Sequence, residues 1–160
     1  LTPVFFIPVQ GLRGRSAVTE VITAHDLGIV LDAEDERALF KWFVASFLMG
    51  KRIQAPIAAK AFHLLVNEHG CDSPDRLARL SHRQLVAILG KAHYVRYDES
   101  TATRLSALAL RLVNEYGGRF SALYSTHTDR HTFERRLLEF DGVGPKTVEI
   151  FMRDAAPVLF

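Results

Sequence analysis

An all-α fold, built as an orthogonal bundle of short helices, is predicted for this chain of 160 residues. Three observations predict it. Beyond Ser16 apolar residues recur at helical spacing almost throughout, helix start and stop signals return at short intervals, and the alternating pattern of half-buried strands is nearly missing. Roughly eight helices of this length cannot align into one long four-helix bundle, so they must cross one another around a shared core.

The elements follow in order. The opening "LTPVFFIPVQGLRGR" is interrupted by Pro3 and Pro8, and residues 1–16 are expected to be an extended segment or tail outside the core. "AVTEVITAHDLG" predicts a short helix ending near Gly28, with Val18, Val21 and Ile22 on one face. In "LDAEDERALFKWFVASFLMG" Asp32 is placed to cap, and acids fill the first turn. Leu39, Phe40, Phe43, Val44 and Phe47 make a wide apolar stripe before Gly50. The next helix is expected from Gln54, with Pro56 in its first turn, through Ile57, Ala61, Leu64 and Leu65 to Gly70. Ser73-Pro74 starts a short one, and "SHRQLVAILG" carries a capping box from Ser81 to Gln84 and a terminal Gly90. "DESTATRLSALALRLVNEYGG" is the clearest amphipathic helix, with Leu105, Leu108, Leu112, Val113 and Tyr116 at helical spacing. "DRHTFERRLLEF" and, after a glycine turn, "PKTVEIFMRDA" complete the set as a helical hairpin over residues 129–155. Residues 17–160 read as a single domain without repeat, linker or low-complexity segment.

Composition narrows the function. The one cysteine, Cys71, rules out an internal disulfide and any cysteine-ligated iron-sulfur cluster, and is consistent with a reducing cytoplasm, the compartment expected. A net charge of +2 with a pI near 8.9 is mildly basic, compatible with nucleic acid without the extreme charge of a histone. No apolar run approaches membrane-spanning length, and the arginines after the apolar opening are in the wrong order for a secretory signal. His127 and His131 have the i, i+4 spacing of two ligands on one helix face, but no HExxH motif or third ligand accompanies them, so no metal is expected. The sequence holds no Walker motif, nucleophile elbow or dinucleotide fingerprint.

The stretch with the most specific chemistry is "LLEFDGVGPKTVEIFM". Gly142 and Gly144 permit positive φ and close approach of another backbone, and Pro145 suits the first helical turn. The amides of Gly144, Lys146 and Thr147 would then face a phosphate, aided by the helix dipole and the Lys146 charge. Such contacts read no base, so binding would be largely independent of sequence. Taken alone, the turn also suits a plain corner between two helices. Lys146 likewise suits a reactive amine or a solvated phosphate clamp.

Phe140-Asp141-Gly142-Val143-Gly144-Pro145-Lys146-Thr147-Val148 resembles the helix-hairpin-helix of the endonuclease III-like DNA glycosylases, whose turn reads Leu-Pro-Gly-Val-Gly-x-Lys-Thr-Ala. "LFKWFVASFLMGKRIQAPIAAKAFHLL" is similar to that family's early helix pair, and "YVRYDESTATRLSALALRLVNEYGG" to its Tyr-x-x-Lys-Ala helix. The resemblance runs in order from Glu34 to Ala155. It implies an orthogonal bundle of DNA-glycosylase type and a base-excision-repair activity on double-stranded DNA, damaged or abasic. Lys146 matches the family's nucleophile, which forms a Schiff base with the sugar C1′ before the strand is cut by β-elimination. Gly142, Val143, Gly144, Lys146 and Thr147 would hold the DNA backbone, with Lys51 and Arg52 as further phosphate contacts. Leu48, with Met49 beside it, falls near the residue the family inserts into the duplex. No bound cofactor is implied, although hairpin carbonyls in this family can hold a monovalent cation, and a monomer is expected.

The chain departs from the family pattern in two ways. No four-cysteine cluster loop is present, and the family's aspartate beyond the second hairpin helix has no counterpart within these residues. Asp154 follows Lys146 by eight residues, about 12 Å along a helix, and reads as a surface residue. Asp141, standing where the family has proline, reads as a turn former. Trp42, Tyr94 and Tyr97 have rings suited to stacking on an extruded base, with Trp42 beside a core stripe. Arg76, Arg79, Arg83, Arg135 and Arg136 read as helix surface. Two alternatives therefore stand beside the lyase: a catalytically inactive DNA-binding module, and a helical protein-interaction domain in which the hairpin is only a corner.

Overall fold

The computed structural model describes residues 21–125 and 127–160, so the expected tail and Val18 lie outside the described residues. Among the described residues there are seven α-helices and no strand. They are α1 (Glu36–Met49), α2 (Ala55–Phe62), α3 (Pro74–Ala78), α4 (His82–Lys91), α5 (Asp98–Tyr116), α6 (Arg130–Leu138) and α7 (Pro145–Leu159). A π-helical turn, His63–Glu68, prolongs α2, where a continuous α-helix is expected from the sequence. Where a helix is expected up to Gly28, the described residues form only a 3-10 turn, His25–Leu27, closed by Gly28 at φ 77°.

Local signals account for most boundaries. Ser73 accepts from the Arg76 N–H to start α3, Asp129 accepts from Thr132 to start α6, and Ser81 with Gln84 makes a complete capping box on α4. Two expectations need correction. The cap of α1 is Asp35, which accepts from the Ala38 N–H at 3.0 Å, while Asp32 turns back to accept from Glu34. Gly90 does not end α4, because the left-handed residue is His93 (φ 64°), closed by bonds from His93 to Gly90 and from Tyr94 to Leu89. Tertiary packing overrides glycine there: the exit through His93 buries the Tyr94 ring, whose hydroxyl donates to the Leu48 carbonyl at 2.7 Å.

α1 is the centre of the molecule. Every residue from Leu39 to Leu48 except Lys41 is buried, so α1 packs on all sides, against α2, α7 and a second 3-10 turn, Phe120–Leu123. Glu36 ties that turn to the start of α1 by accepting from the Phe120 and Ser121 amides. α5 carries α3 and α4, and α6 leans on α7. The Phe43 ring meets Phe120 at 5.0 Å, Phe140 at 5.5 Å and Phe151 at 6.0 Å, which joins α1 to both arms of the hairpin. Trp42 completes the anchor by donating from its indole N–H to the Phe151 carbonyl at 3.1 Å.

Candidate nucleic-acid interface

The turn between α6 and α7 is held from within by its apolar residues. Phe140 and Val143 are buried, and the Val143 N–H donates to the Phe140 carbonyl at 3.1 Å. The two glycines differ in what requires them. At Gly142 φ is 87°, and a Cβ would stand 2.6 Å from Arg104 Cδ and 3.1 Å from a Phe47 ring carbon, so glycine serves the protein's own packing. Gly144 has an ordinary extended backbone (φ −113°, ψ −173°), and a Cβ there would meet nothing within 4 Å. No contact among the described residues demands glycine at 144. The space beside it faces outward and suits close approach by another molecule.

α7, like α2 and α5, starts without a side-chain cap, whereas α1, α3, α4 and α6 each have one. Among the described residues the amides of Gly144, Lys146 and Thr147 have no hydrogen-bond acceptor. Lys146 is exposed on this first turn and forms no ion pair among the described residues. It stands at the rim of a cleft of about 580 Å³ that opens between α7 and the loop joining α1 to α2. Met49, Ile53, Val21, Ile22 and Ile150 give the cleft an apolar side; Lys51, Lys146 and Arg153 bring three cations. No described carboxylate lines it.

Lys51 is half-buried, with its amine 5.4 Å from the centre of the Phe47 ring. Burial and then the charge of Arg104 lower its pKa from the usual lysine value, and Asp141 pulls the other way. Asp141 is exposed and pairs with Arg104 at 3.8 Å, so cations flank its charge at the edge of the turn. Arg153 donates to the Ile22 carbonyl at 2.9 Å, and Asp154 accepts from the Ala24 N–H at 2.7 Å. The surface role expected for Asp154 is thereby corrected. Only 18% of its side chain is exposed, and its carboxylate is engaged in stapling residues 22–24 to α7, with Arg153 beside it at 3.3 Å.

Two other expectations fail for reasons of packing. Leu48 is fully buried on the all-round core helix α1, so it cannot enter a duplex, while Met49 beside it is partly exposed and lines the cleft. The Thr147 side chain is also buried and lies against Gly50, so its contribution to an interface is confined to its backbone. The Val143 side chain is likewise buried. Arg52 is exposed beside Lys51 but does not line the cleft. Trp42 and Tyr94 are core residues, and Tyr97 is half-buried with Arg96 over its ring at 5.5 Å.

His127 precedes the cap of α6 and His131 lies within it, so the two do not share a helix face, and no metal-ligand cluster occurs among the described residues. Arg136 is engaged with the Leu123 carbonyl at 2.8 Å, while Arg135 stays exposed. The sequence reading missed Ile150 and Arg153, although their signal was present. At i+4 and i+7 from Lys146 they share its face of α7. In comparisons with known proteins, the chain matches no family model, no curated protein and no solved structure.

Proposed function

We propose that this protein binds the backbone of double-stranded DNA through the turn at Gly142–Thr147 and acts at abasic sites as a lyase of the base-excision-repair type, with Lys146 as the nucleophile. The observation that carries the reading is the position of Lys146. It is an exposed amine, without an ion pair among the described residues, on the uncapped first turn of α7, at the rim of a cleft whose described charged residues are all cations. Three cations and a row of free amides attract a phosphate-bearing strand. Gly144 leaves room for that strand, and the apolar side of the cleft suits an extruded sugar or base.

The chemistry needs no bound cofactor. The Lys146 amine, once neutral, adds to the C1′ aldehyde of an abasic sugar; water leaves and an iminium forms. Loss of the C2′ proton then expels the 3′-phosphate, cutting the strand, and hydrolysis returns the amine.

Borohydride reduction in the presence of abasic duplex DNA tests the reading. A covalent protein–DNA adduct is expected for the wild-type chain and is lost in Lys146→Ala. Salt-sensitive binding without an adduct points to a non-enzymatic DNA-binding module. Absence of any DNA binding overturns both readings and leaves the hairpin as a corner of an interaction domain.

A further inference from the structure

The lyase reading leaves one chemical role unfilled: the base that removes the C2′ proton. The described titratable side chains that line the cleft are Lys51, Lys146 and Arg153. Arginine does not release its proton in proteins, and Lys146 is consumed as the iminium. Resting on the reading above, we propose that Lys51 is the proton acceptor for β-elimination, taking the C2′ proton of the Schiff base held by Lys146.

The surroundings of Lys51 fit that role. Its amine lies 5.4 Å from the centre of the Phe47 ring, on the loop that faces α7 across the cleft. The described charges around it are Arg104 from α5, Lys146 and Arg153 from α7, its neighbour Arg52, and the carboxylate Asp141 from the hairpin turn. Burial and Arg104 lower its pKa, so a larger share of Lys51 is neutral near physiological pH than of an ordinary lysine. The step balances. The C2′–H pair becomes the C2′–C3′ double bond, the C3′–O bond breaks with its electrons on the departing phosphate, and the proton passes from Lys51 to water.

The test is Lys51→Arg, which keeps the cation for phosphate but removes a base able to work near neutral pH. On abasic duplex, the borohydride-trapped adduct on Lys146 is expected at wild-type yield while strand cleavage slows about 100-fold, the scale of a lost general base. The rise of the cleavage rate with pH should flatten in the variant, an effect that a merely structural role for Lys51 would not produce. Cleavage by Lys51→Arg at the wild-type rate overturns the inference alone. An adduct mapped by peptide mass spectrometry to Lys51 overturns it as well, because Lys51 is then the nucleophile. A wild-type chain that forms no adduct overturns the lyase reading, and this inference with it.

Discussion

Gly50→Ala isolates the close contact between the end of α1 and the first turn of α7. Gly50 follows α1 with φ −77° and ψ −3°, a conformation any residue adopts, so the backbone raises no objection to alanine. Substituting glycine at such a position stabilises by about 0.4–1 kcal/mol through the unfolded chain. The space does object. A Cβ at 50 would stand 2.2 Å from Thr147 Oγ1, against an ordinary contact of about 3.4 Å, and Thr147 is a short side chain buried on α7. The two helices must part by about 1.2 Å or Thr147 must leave its rotamer, and overpacking of this kind costs about 1–3 kcal/mol. The net expectation is a loss of about 1–2 kcal/mol in urea unfolding followed by far-UV circular dichroism, with an unchanged m-value. Thr147→Ala removes Oγ1 and leaves the backbone-bound Cβ at 3.4 Å, a permitted contact. In that background Gly50→Ala should be neutral or slightly stabilising. A Gly50→Ala chain as stable as wild type, or additive costs in the double variant, would refute the packing argument.

Three further predictions test separate parts of the structure. Leu48→Ala should cost about 2–5 kcal/mol of stability, measured by denaturant unfolding, as expected of a fully buried core leucine rather than of an exposed wedge. Burial, helped by Asp72, pushes the Cys71 thiol up from 9.0 to about 11, so at pH 8 its thiolate fraction falls about 100-fold below that of an ordinary cysteine. Alkylation of the native chain by iodoacetamide at pH 8 should be slower by at least that factor, with normal reactivity recovered in urea. Asp154→Ala should cost about 1–2 kcal/mol and speed amide exchange at Ala24, because the staple from α7 is the only described side-chain acceptor for that N–H.

Features governed by neighbours in the sequence were legible there. Ser81 and Gln84, Ser73 with Pro74, and Asp129 reveal their caps because each bond spans three residues. The same local reading placed the cap of α1 at Asp32, because Asp32 and Asp35 are each able to bond a nearby amide and only the fold decides which one starts the helix. It also could not see that α1 is buried on every side, since a stripe and a full jacket of apolar residues differ only in what surrounds them. Leu48 and Thr147 were assigned to an interface for that reason. The cleft depends on long-range placement: Lys51 and Lys146 are far apart in sequence, and Arg153 belongs beside them only because α7 crosses the end of α1.

On the lyase reading, the charge in this cleft bears on which half of a repair reaction would be favoured. Excising a base places a new positive charge on the sugar as the glycosidic bond opens, and a nearby anion is the usual means of holding it. Here the described lining supplies cations. A unit charge about 6 Å from the sugar, at an effective dielectric near 20, raises the energy of a sugar cation by about 3 kcal/mol, or roughly a hundredfold in rate. Schiff-base formation on an abasic sugar carries no such penalty. An ammonium gives up its proton and becomes an iminium, so the net charge of the cleft is unchanged. On the lyase reading, duplexes that carry an intact damaged base should therefore release little or no free base, measured by chromatography, under conditions that fully cut an abasic duplex. Base release keeping pace with strand cleavage would show that an anion reaches the sugar after all, and would remove the electrostatic ground for preferring abasic DNA.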